Sequence, residues 1–372
     1  MEFLQKVVPL HKEFAKILNQ CSFFMLSELI NKHEVSAANR LIDKASSVAI
    51  ITHISPDGDA LGSSLAMKHY LTSLGKDPVA VVVPNKFPQF LAWLPDADKI
   101  ITFENSEAEA TVILNEADLI VSLDFNDAKR IGKMGDVLLN SQAAKLMIDH
   151  HIDPAGFADV NISYPLSSST CELIFRFICQ SGNFQTISQP IAQCLYTGMM
   201  TDTGNFSYNS QNPELYNIVA LLAEAGVNKD DIYNRVFNTY SAERLRLVGY
   251  CLYHKMKLYR FNKVYTVALI TLSRPELMRF NFQSGDSEGI VNMPMQIDTV
   301  HYSCFMREDV DKIKVSFRSQ GDRPVNEFAA QFFAGGGHKN AAGGEFYGKL
   351  EDAVQLFEKN LNRLINPESL KQ

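Results

Sequence analysis

The sequence predicts an α/β protein: a parallel-sheet N-terminal domain, then a smaller α+β C-terminal domain, joined by a helical linker. Three observations carry this expectation. Short β-branched runs, among them Val48-Ala49-Ile50-Ile51 and Leu119-Ile120-Val121-Ser122-Leu123, alternate with helical spacing, as right-handed βαβ units require. Each of three such runs ends in an acid or an imidazole, the habit of a parallel sheet that gathers a site outside the carboxyl ends of its strands. The length of 372 residues exceeds what one hydrophobic core usually organises, so two domains are expected.

Residues 1–37 read as an N-terminal helical extension, with Leu10, Phe14, Ile17 and Leu18 at amphipathic spacing. The first domain spans 38–238. Its elements are a strand over 47–53, a helix over 61–74, strands over 78–83, 119–124 and 145–151, and a helix over 170–181. Helical patterns follow over 187–200 and 213–225, then a long one from 230 to about 258. Polar residues crowd its middle at Thr239-Tyr240-Ser241-Ala242-Glu243-Arg244, which makes 239–262 the linker. The second domain, 263–372, starts with a strand over 264–272. Strands over 301–307 and 312–319, a helix over 325–333, a glycine-rich turn and a closing helix over 350–365 complete it.

Composition narrows the function classes. Hydrophobic residues at 46% and charged residues at 21% describe an ordered globular chain. The net charge of −7 disfavours holding long phosphate backbones by bulk electrostatics, so any nucleic-acid ligand should be short. Cys21, Cys171, Cys179, Cys194, Cys251 and Cys304 are scattered without a Cys-x-x-Cys pair, which reads as reduced thiols rather than disulfides or a zinc-thiolate site. No apolar run approaches the roughly 18 residues of a membrane span, and the N-terminus lacks a signal-peptide layout. A cytoplasmic location without membrane attachment is expected.

The run Leu146-Met147-Ile148 leads into Asp149-His150-His151; Val48–Thr52 leads into His53, with Asp57 and Asp59 close behind; Asp124 follows Leu123; and Asp202 lies near Gly198 and Gly204. Each of these residues alone is more often a cap, a turn residue or a surface pair. Together at the ends of successive strands they point to a metal centre. His53, Asp57, Asp59, Asp124, His150 and Asp202 supply six donors, four carboxylates and two imidazoles. That is too many for one tetrahedral zinc and suits two ions such as Mn²⁺. A close metal pair needs a bridging carboxylate and can acidify a shared water toward a pKa of about 7. Asp124, alone at a strand tip, is the best bridge. Neither a Gly-x-Gly-x-x-Gly after a strand nor a Gly-x-x-x-x-Gly-Lys-Ser loop is present, which removes dinucleotide and P-loop readings.

These residues carry a family resemblance. The chain resembles the DHH phosphoesterase superfamily, in its DHH–DHHA1 branch of NrnA-like oligoribonucleases that also dephosphorylate 3′-phosphoadenosine 5′-phosphate. His53-Ile54-Ser55-Pro56-Asp57-Gly58-Asp59 looks like the first motif, Asp124 the second, Asp149-His150-His151 the third and Asp202 the fourth. Gly335-Gly336-Gly337-His338 with Ala341-Ala342-Gly343 looks like the DHHA1 signature, so the likeness runs from about 38 to 365 and leaves the first 37 residues outside. The resemblance implies a first metal on His53, Asp57 and Asp124 and a second on Asp59, Asp124, His150 and Asp202. It also gives His151 to the scissile phosphate and Asp149 to orienting an imidazole.

The second domain bears on the substrate. Gly335, Gly336 and Gly337 let backbone N–H groups approach an anion, and His338 adds a titratable donor. Ser316-Phe317-Arg318-Ser319 ends a strand with a guanidinium able to fork onto a phosphate. The expected activity is Mn²⁺-dependent hydrolysis of short oligoribonucleotides (nanoRNA) to mononucleotides, and of the 3′-phosphate of 3′-phosphoadenosine 5′-phosphate, by two-metal-activated hydroxide attack in a cleft between domains. The partners are short RNA oligonucleotides or nucleotides, with a homodimer allowed. The closest rival is a soluble cyclic- or linear-dinucleotide phosphodiesterase. From another class, a non-catalytic nucleotide sensor would be expected to have lost a metal ligand, whereas all are present.

Overall fold

A computed structural model describes residues 26–261, 264–283 and 285–366. The helical spacing of Leu10, Phe14, Ile17 and Leu18, and Cys21, lie outside these residues. The chain divides into two compact units, one ending at Asn238 and the other beginning at Thr239.

The first unit is built on a six-stranded parallel sheet in the order β3-β2-β1-β4-β5-β6. The strands are β1 (Val48–Ile51), β2 (Val79–Val83), β3 (Ile101–Thr102), β4 (Leu119–Leu123), β5 (Ala144–Asp149) and β6 (Val160–Ser163). Both faces are covered, which is why these strands read as continuous apolar runs. In β1, Val48 and Ile50 face one core while Ala49 and Ile51 face the other. Strand order reverses between β1 and β4, and in open α/β sheets that switch point opens a crevice at the carboxyl ends. The segments after β1, β4 and β5 all leave from that end, and they carry His53, Asp124 and His150.

On one face the helices Gly58–Ser73, Thr170–Gln180 and Gln189–Asp202 pack together. Glycine decides how closely. A Cβ on Gly62 would lie 2.5 Å from the Cys194 carbonyl oxygen, and one on Gly198 would lie 2.2 Å from Cys171 Sγ and 2.8 Å from Asp59 Oδ1. These glycines draw the helix that starts beside Asp59 against the helix that ends in Asp202. The short strands β3 and β6 and the helices Glu107–Glu116 and Met134–Asn140 are absent from the sequence expectation. The strands have two and four residues, too few to show a period.

The second unit holds a mixed sheet in the order β11-β12-β10-β9-β8-β7. Its strands are β7 (Lys257–Phe261), β8 (Val264–Leu272), β9 (Tyr302–Glu308), β10 (Ile313–Ser319), β11 (Gly336–His338) and β12 (Ala341–Phe346). β8 and β9 are parallel; the other neighbours are antiparallel. Two readings of this region need correction. The helical pattern expected from 230 to about 258 is split: Lys229–Phe237 ends, Ser241 caps Ala242–Tyr250 by accepting the Arg244 N–H at 3.0 Å, a π turn covers Cys251–Lys255, and β7 follows. Leu247 and Cys251 pack with Ile270, Leu272 and Ile290, so this stretch belongs to the core of the second unit. The glycine-rich turn is in part a strand, β11, paired with β12. Among the described residues no helix is long and apolar enough to cross a membrane, and Cys171, Cys179, Cys194, Cys251 and Cys304 are free and buried.

Candidate metal centre

Asp57 caps the helix Gly58–Ser73, its Oδ1 accepting the N–H groups of Asp59 at 3.0 Å and Ala60 at 3.1 Å. That fixes one carboxylate at the helix end and places Asp59 in the first turn, fully buried. Asp59 in turn accepts from the first residues of another helix, Thr170 N at 2.6 Å and Cys171 N at 2.9 Å. The positive end of a helix dipole thereby faces the site and holds a carboxylate there. Asp124 takes a left-handed backbone, φ 63°, directly after β4. Such a conformation costs about 1–3 kcal/mol in a non-glycine residue and is met where the surroundings enforce it. Thr170 Oγ1 donates to Asp124 Oδ1 at 3.0 Å, so one residue steadies two of the carboxylates.

The histidines are aimed by carbonyl groups. His53 Nδ1 lies 2.9 Å from the Ile54 carbonyl oxygen and His150 Nδ1 lies 3.3 Å from that of Ser167. A carbonyl only accepts, which assigns the proton to Nδ1 in both rings and turns Nε2 toward the acids. His53 Nε2 stands 3.3 Å from Asp124 and 3.9 Å from Asp57. His150 Nε2 stands 3.5 Å from Asp202, 3.6 Å from Asp124 and 3.9 Å from Asp59. Three groups of donors, each with its atoms within 4.8 Å of one another, share Asp124: His53–Asp57–Asp124, Asp59–Asp124–His150 and Asp124–Asp149–His151. In the third group His151 Nδ1 lies 2.7 Å from Asp149 Oδ1 and 3.8 Å from Asp124 Oδ1, so the nitrogen that faces Asp124 is the one Asp149 engages.

Electrostatics tests whether these residues fit cations. Among the described residues no Lys or Arg pairs with Asp57, Asp59 or Asp124. Burial and mutual repulsion push the Asp59 carboxyl up and that of Asp124 well up. For His150, burial lowers the pKa but is outweighed by Asp202, Asp124 and Asp59, which carry it to about 9. Buried carboxylates pushed up in this way lack a counter-charge, which a divalent ion would supply, since buried charge needs either a partner or neutralisation. The donor set of carboxylate oxygen and imidazole nitrogen suits borderline to hard ions. His151 differs: burial pushes it down to about 4, with Asp149 opposing and Arg130 assisting. Asp149 is raised by burial, yet the hydrogen bond from His151 and the charges of both histidines hold it below the usual carboxylate range.

In the second unit, Arg318 pairs with Ala341 across β10 and β12, and Ala341 pairs with His338 across β12 and β11. Residues paired across strands share a face, so Arg318 and His338 flank Ala341 in one row. Ser316, Gly343 and Gly336 form the next row on that face. Gly335 and Gly337 allow the close approach beneath it: added Cβ atoms would lie 2.0 Å from the Gly343 and 2.6 Å from the Ala341 carbonyl oxygens, and Gly337 has φ 135°. Ser319 is separated from this group. It points to the opposite face with Phe317, where its hydroxyl bonds the Arg323 carbonyl and accepts from Asn340 at 2.8 Å. A one-residue step along a strand reverses the face, which grouping Ser316 to Ser319 as one unit overlooked.

A match to the DHH family N-terminal domain spans residues 47–199, and one to the DHHA1 domain spans 263–365. The chain belongs to the DHH family. A crystal structure of an exopolyphosphatase-related protein from Bacteroides fragilis is 48% identical, with a TM-score of 0.85 over 93% of this DHH chain and 100% of that one. The bifunctional oligoribonuclease and PAP phosphatase NrnA of Thermus thermophilus is 29% identical over 314 residues, 84% of this chain and 88% of the relative. Its namesake in Bacillus subtilis is 24% identical over 311 residues, 83% of this chain and 92% of the relative. With both DHH-type domains and such relatives along most of its length, the protein is a hydrolytic enzyme.

Two contributors to the centre escaped the sequence reading, Thr170 and Gly198. Thr170 had a legible signal: Ser169 accepts the Glu172 N–H at 3.1 Å, and Ser169-Thr170-Cys171-Glu172 is a recognisable helix start. Glu172 is fixed by Arg176 at 2.8 Å and accepts the Ser168 N–H at 2.9 Å, which stiffens the turn that presents Thr170.

Proposed function

We propose that this chain is a Mn²⁺-dependent phosphoesterase that hydrolyses short oligoribonucleotides to mononucleotides and removes the 3′-phosphate of 3′-phosphoadenosine 5′-phosphate. The observation that carries the reading is that Asp124 joins the donor groups His53–Asp57–Asp124 and Asp59–Asp124–His150. His53, Asp57 and Asp124 would hold one ion, and Asp59, Asp124, His150 and Asp202 a second. Two such ions supply, when bound, Lewis-acid charge for the phosphoryl oxygens and a water acidified toward neutral pH. The remaining steps fall to the protein. Asp124 spaces the two donor groups, and Thr170 and the helix behind it keep Asp59 and Asp124 in place. Asp149 holds the His151 ring by Nδ1, so that Nε2 is the atom available to a phosphate oxygen. The negative charge of an arriving phosphate favours the protonated ring, which then donates to the oxygen on which charge develops. Arg318 and His338, with Ser316 and Gly335 to Gly337, contact the nucleotide portion, and the enzyme works in the cytoplasm.

Relatives named as oligoribonucleases and PAP phosphatases along more than four-fifths of the chain support the substrate class. A second reading is favoured by the 48% identity to the exopolyphosphatase-related protein of Bacteroides fragilis: a polyphosphate substrate would need no base-recognition surface. A third rests on the 23% identity to the cyclic-di-AMP phosphodiesterase GdpP of Bacillus subtilis, whose length is half matched. Initial rates with Mn²⁺ on RNA of two to five nucleotides, 3′-phosphoadenosine 5′-phosphate, a cyclic dinucleotide and inorganic polyphosphate decide among them. The expected order places short RNA first. Preference for polyphosphate, with nucleotides inert, would overturn the proposal.

A further inference from the structure

We propose that Arg130 is the anion-binding residue of this centre, a guanidinium that grips the reacting phosphate beside His151. Arg130 lies in the short turn Ala128–Ile131 that follows β4 and Asp124. Its placement is enforced by backbone: the Arg130 carbonyl accepts the Ile54 N–H at 2.9 Å, and Ile54 directly follows His53. Arg130 N donates to the Asp127 carbonyl at 2.9 Å, while the Asp127 side chain accepts the Lys129 N–H at 3.0 Å. Gly132, at φ 58°, ends the turn where a Cβ would meet Ile54 Cδ1 at 2.9 Å. The turn is thus clasped onto the His53 loop.

The side chain is half-buried, and among the described residues its guanidinium makes no ion pair or hydrogen bond, although acids crowd the neighbouring centre. A guanidinium carries five donors in a planar fork, matched to the oxygens of a phosphate. The backbone bond to Ile54 sets Arg130 beside the loop that carries the proposed metal ligand His53, within reach of the acid-rich centre. The ligand class is a phosphate mono- or diester. The assignment rests on the proposed phosphoesterase reading, and it differs from the roles of Arg318 and His338 because it concerns the reacting phosphate itself.

Arg130→Ala, Arg130→Gln and Arg130→Lys are to be compared with the intact Mn²⁺-loaded chain in three measurements: bound Mn²⁺ by elemental analysis, affinity for inorganic phosphate by calorimetry, and kcat and KM on diadenylate and on bis-p-nitrophenyl phosphate. The expected result for Ala and Gln is unchanged Mn²⁺ content, phosphate affinity lowered about 10-fold or more, and kcat lowered about 10²–10³-fold on both substrates alike. The Lys variant should fall between, and added ethylguanidine should partly restore the Ala variant. Phosphate affinity within two-fold of wild type would overturn the proposal, as would loss of Mn²⁺ in step with activity. Should the wild-type chain hydrolyse neither substrate, the phosphoesterase reading fails, and the phosphate titration still decides the role of Arg130.

Discussion

His151 Nδ1 lies 2.7 Å from Asp149 Oδ1, and the other oxygen of the same carboxylate accepts the His151 backbone N–H at 2.9 Å. Asp149 is fully buried, so ring and carboxylate form a unit whose orientation neither solvent nor a rotamer change can alter cheaply. On the proposed reading His151 meets the substrate and not an ion. His151→Ala should retain Mn²⁺ while kcat falls about 10²–10⁴-fold. Asp149→Asn, which keeps the shape and removes the charge, should keep Mn²⁺ and lose less. Metal content and kcat measured on the same preparations check both, and a parallel loss of Mn²⁺ in His151→Ala would make that residue a ligand.

Thr170 touches two acids at once, Asp124 through its hydroxyl and Asp59 through its N–H. Thr170→Val removes only the first contact. A hydrogen bond to an outer partner of a metal ligand typically sets about 10- to 100-fold in metal affinity. The Val variant should therefore need about 10-fold more Mn²⁺ for half-saturation, with kcat at saturating Mn²⁺ close to wild type. Thr170→Ser should restore the affinity; a Ser variant as weak as Val would point to lost packing instead.

Arg318 and His338 share a row of the second sheet with Ala341 between them. If they hold the nucleotide, alanine at either should lower kcat/KM for diadenylate about 10- to 100-fold, the usual worth of a charged hydrogen bond. Turnover of bis-p-nitrophenyl phosphate, which has no nucleotide to grip, should stay within a few-fold. Equal losses on both would place these residues at the reacting phosphate.

Glu276 accepts from Tyr250 Oη at 2.6 Å, Lys255 Nζ at 2.7 Å and Ser273 N and Oγ at 2.8 Å. Burial raises its pKa, but these donors outweigh it and set the value at about 2, against 4.5 for an ordinary glutamate. A depressed folded-state pKa contributes stability that is fully present above pH 4.5 and is lost as pH falls through about 2. Glu276→Gln should accordingly lower the urea midpoint of the second unit at pH 7. The gap to wild type should close progressively below pH 4.5; a gap independent of pH would mean that shape, and not charge, matters at this position.

The strand ends that carry the proposed metal donors were legible because a doubly covered parallel strand is apolar throughout and its polar successor stands out. His53, Asp124 and His150 are each found that way. Thr170 was obscured because its contribution is a pair of hydrogen bonds to acids far away in sequence, and Gly198 because only packing shows what a Cβ there would strike. Arg130 has no sequence signature at all: its position follows from a backbone bond to Ile54. In the second unit the period-2 rule separates Ser319 from Ser316 and Arg318 once the strand register is fixed, and short alternating strands such as β7 conceal that register in the sequence.

Mn²⁺ bound per chain, counted by elemental analysis in wild type and in Asp124→Ala, tests the shared-carboxylate centre most directly. Asp124 belongs to both proposed ion sites; without it the first keeps only His53 and Asp57, and the two adjacent cations lose the carboxylate charge that stands between them. The expected count is two ions per chain in wild type and fewer than one in the variant, with the fold intact by circular dichroism. Two ions retained by a folded Asp124→Ala chain would contradict the bridge, and with it the two-ion centre proposed here.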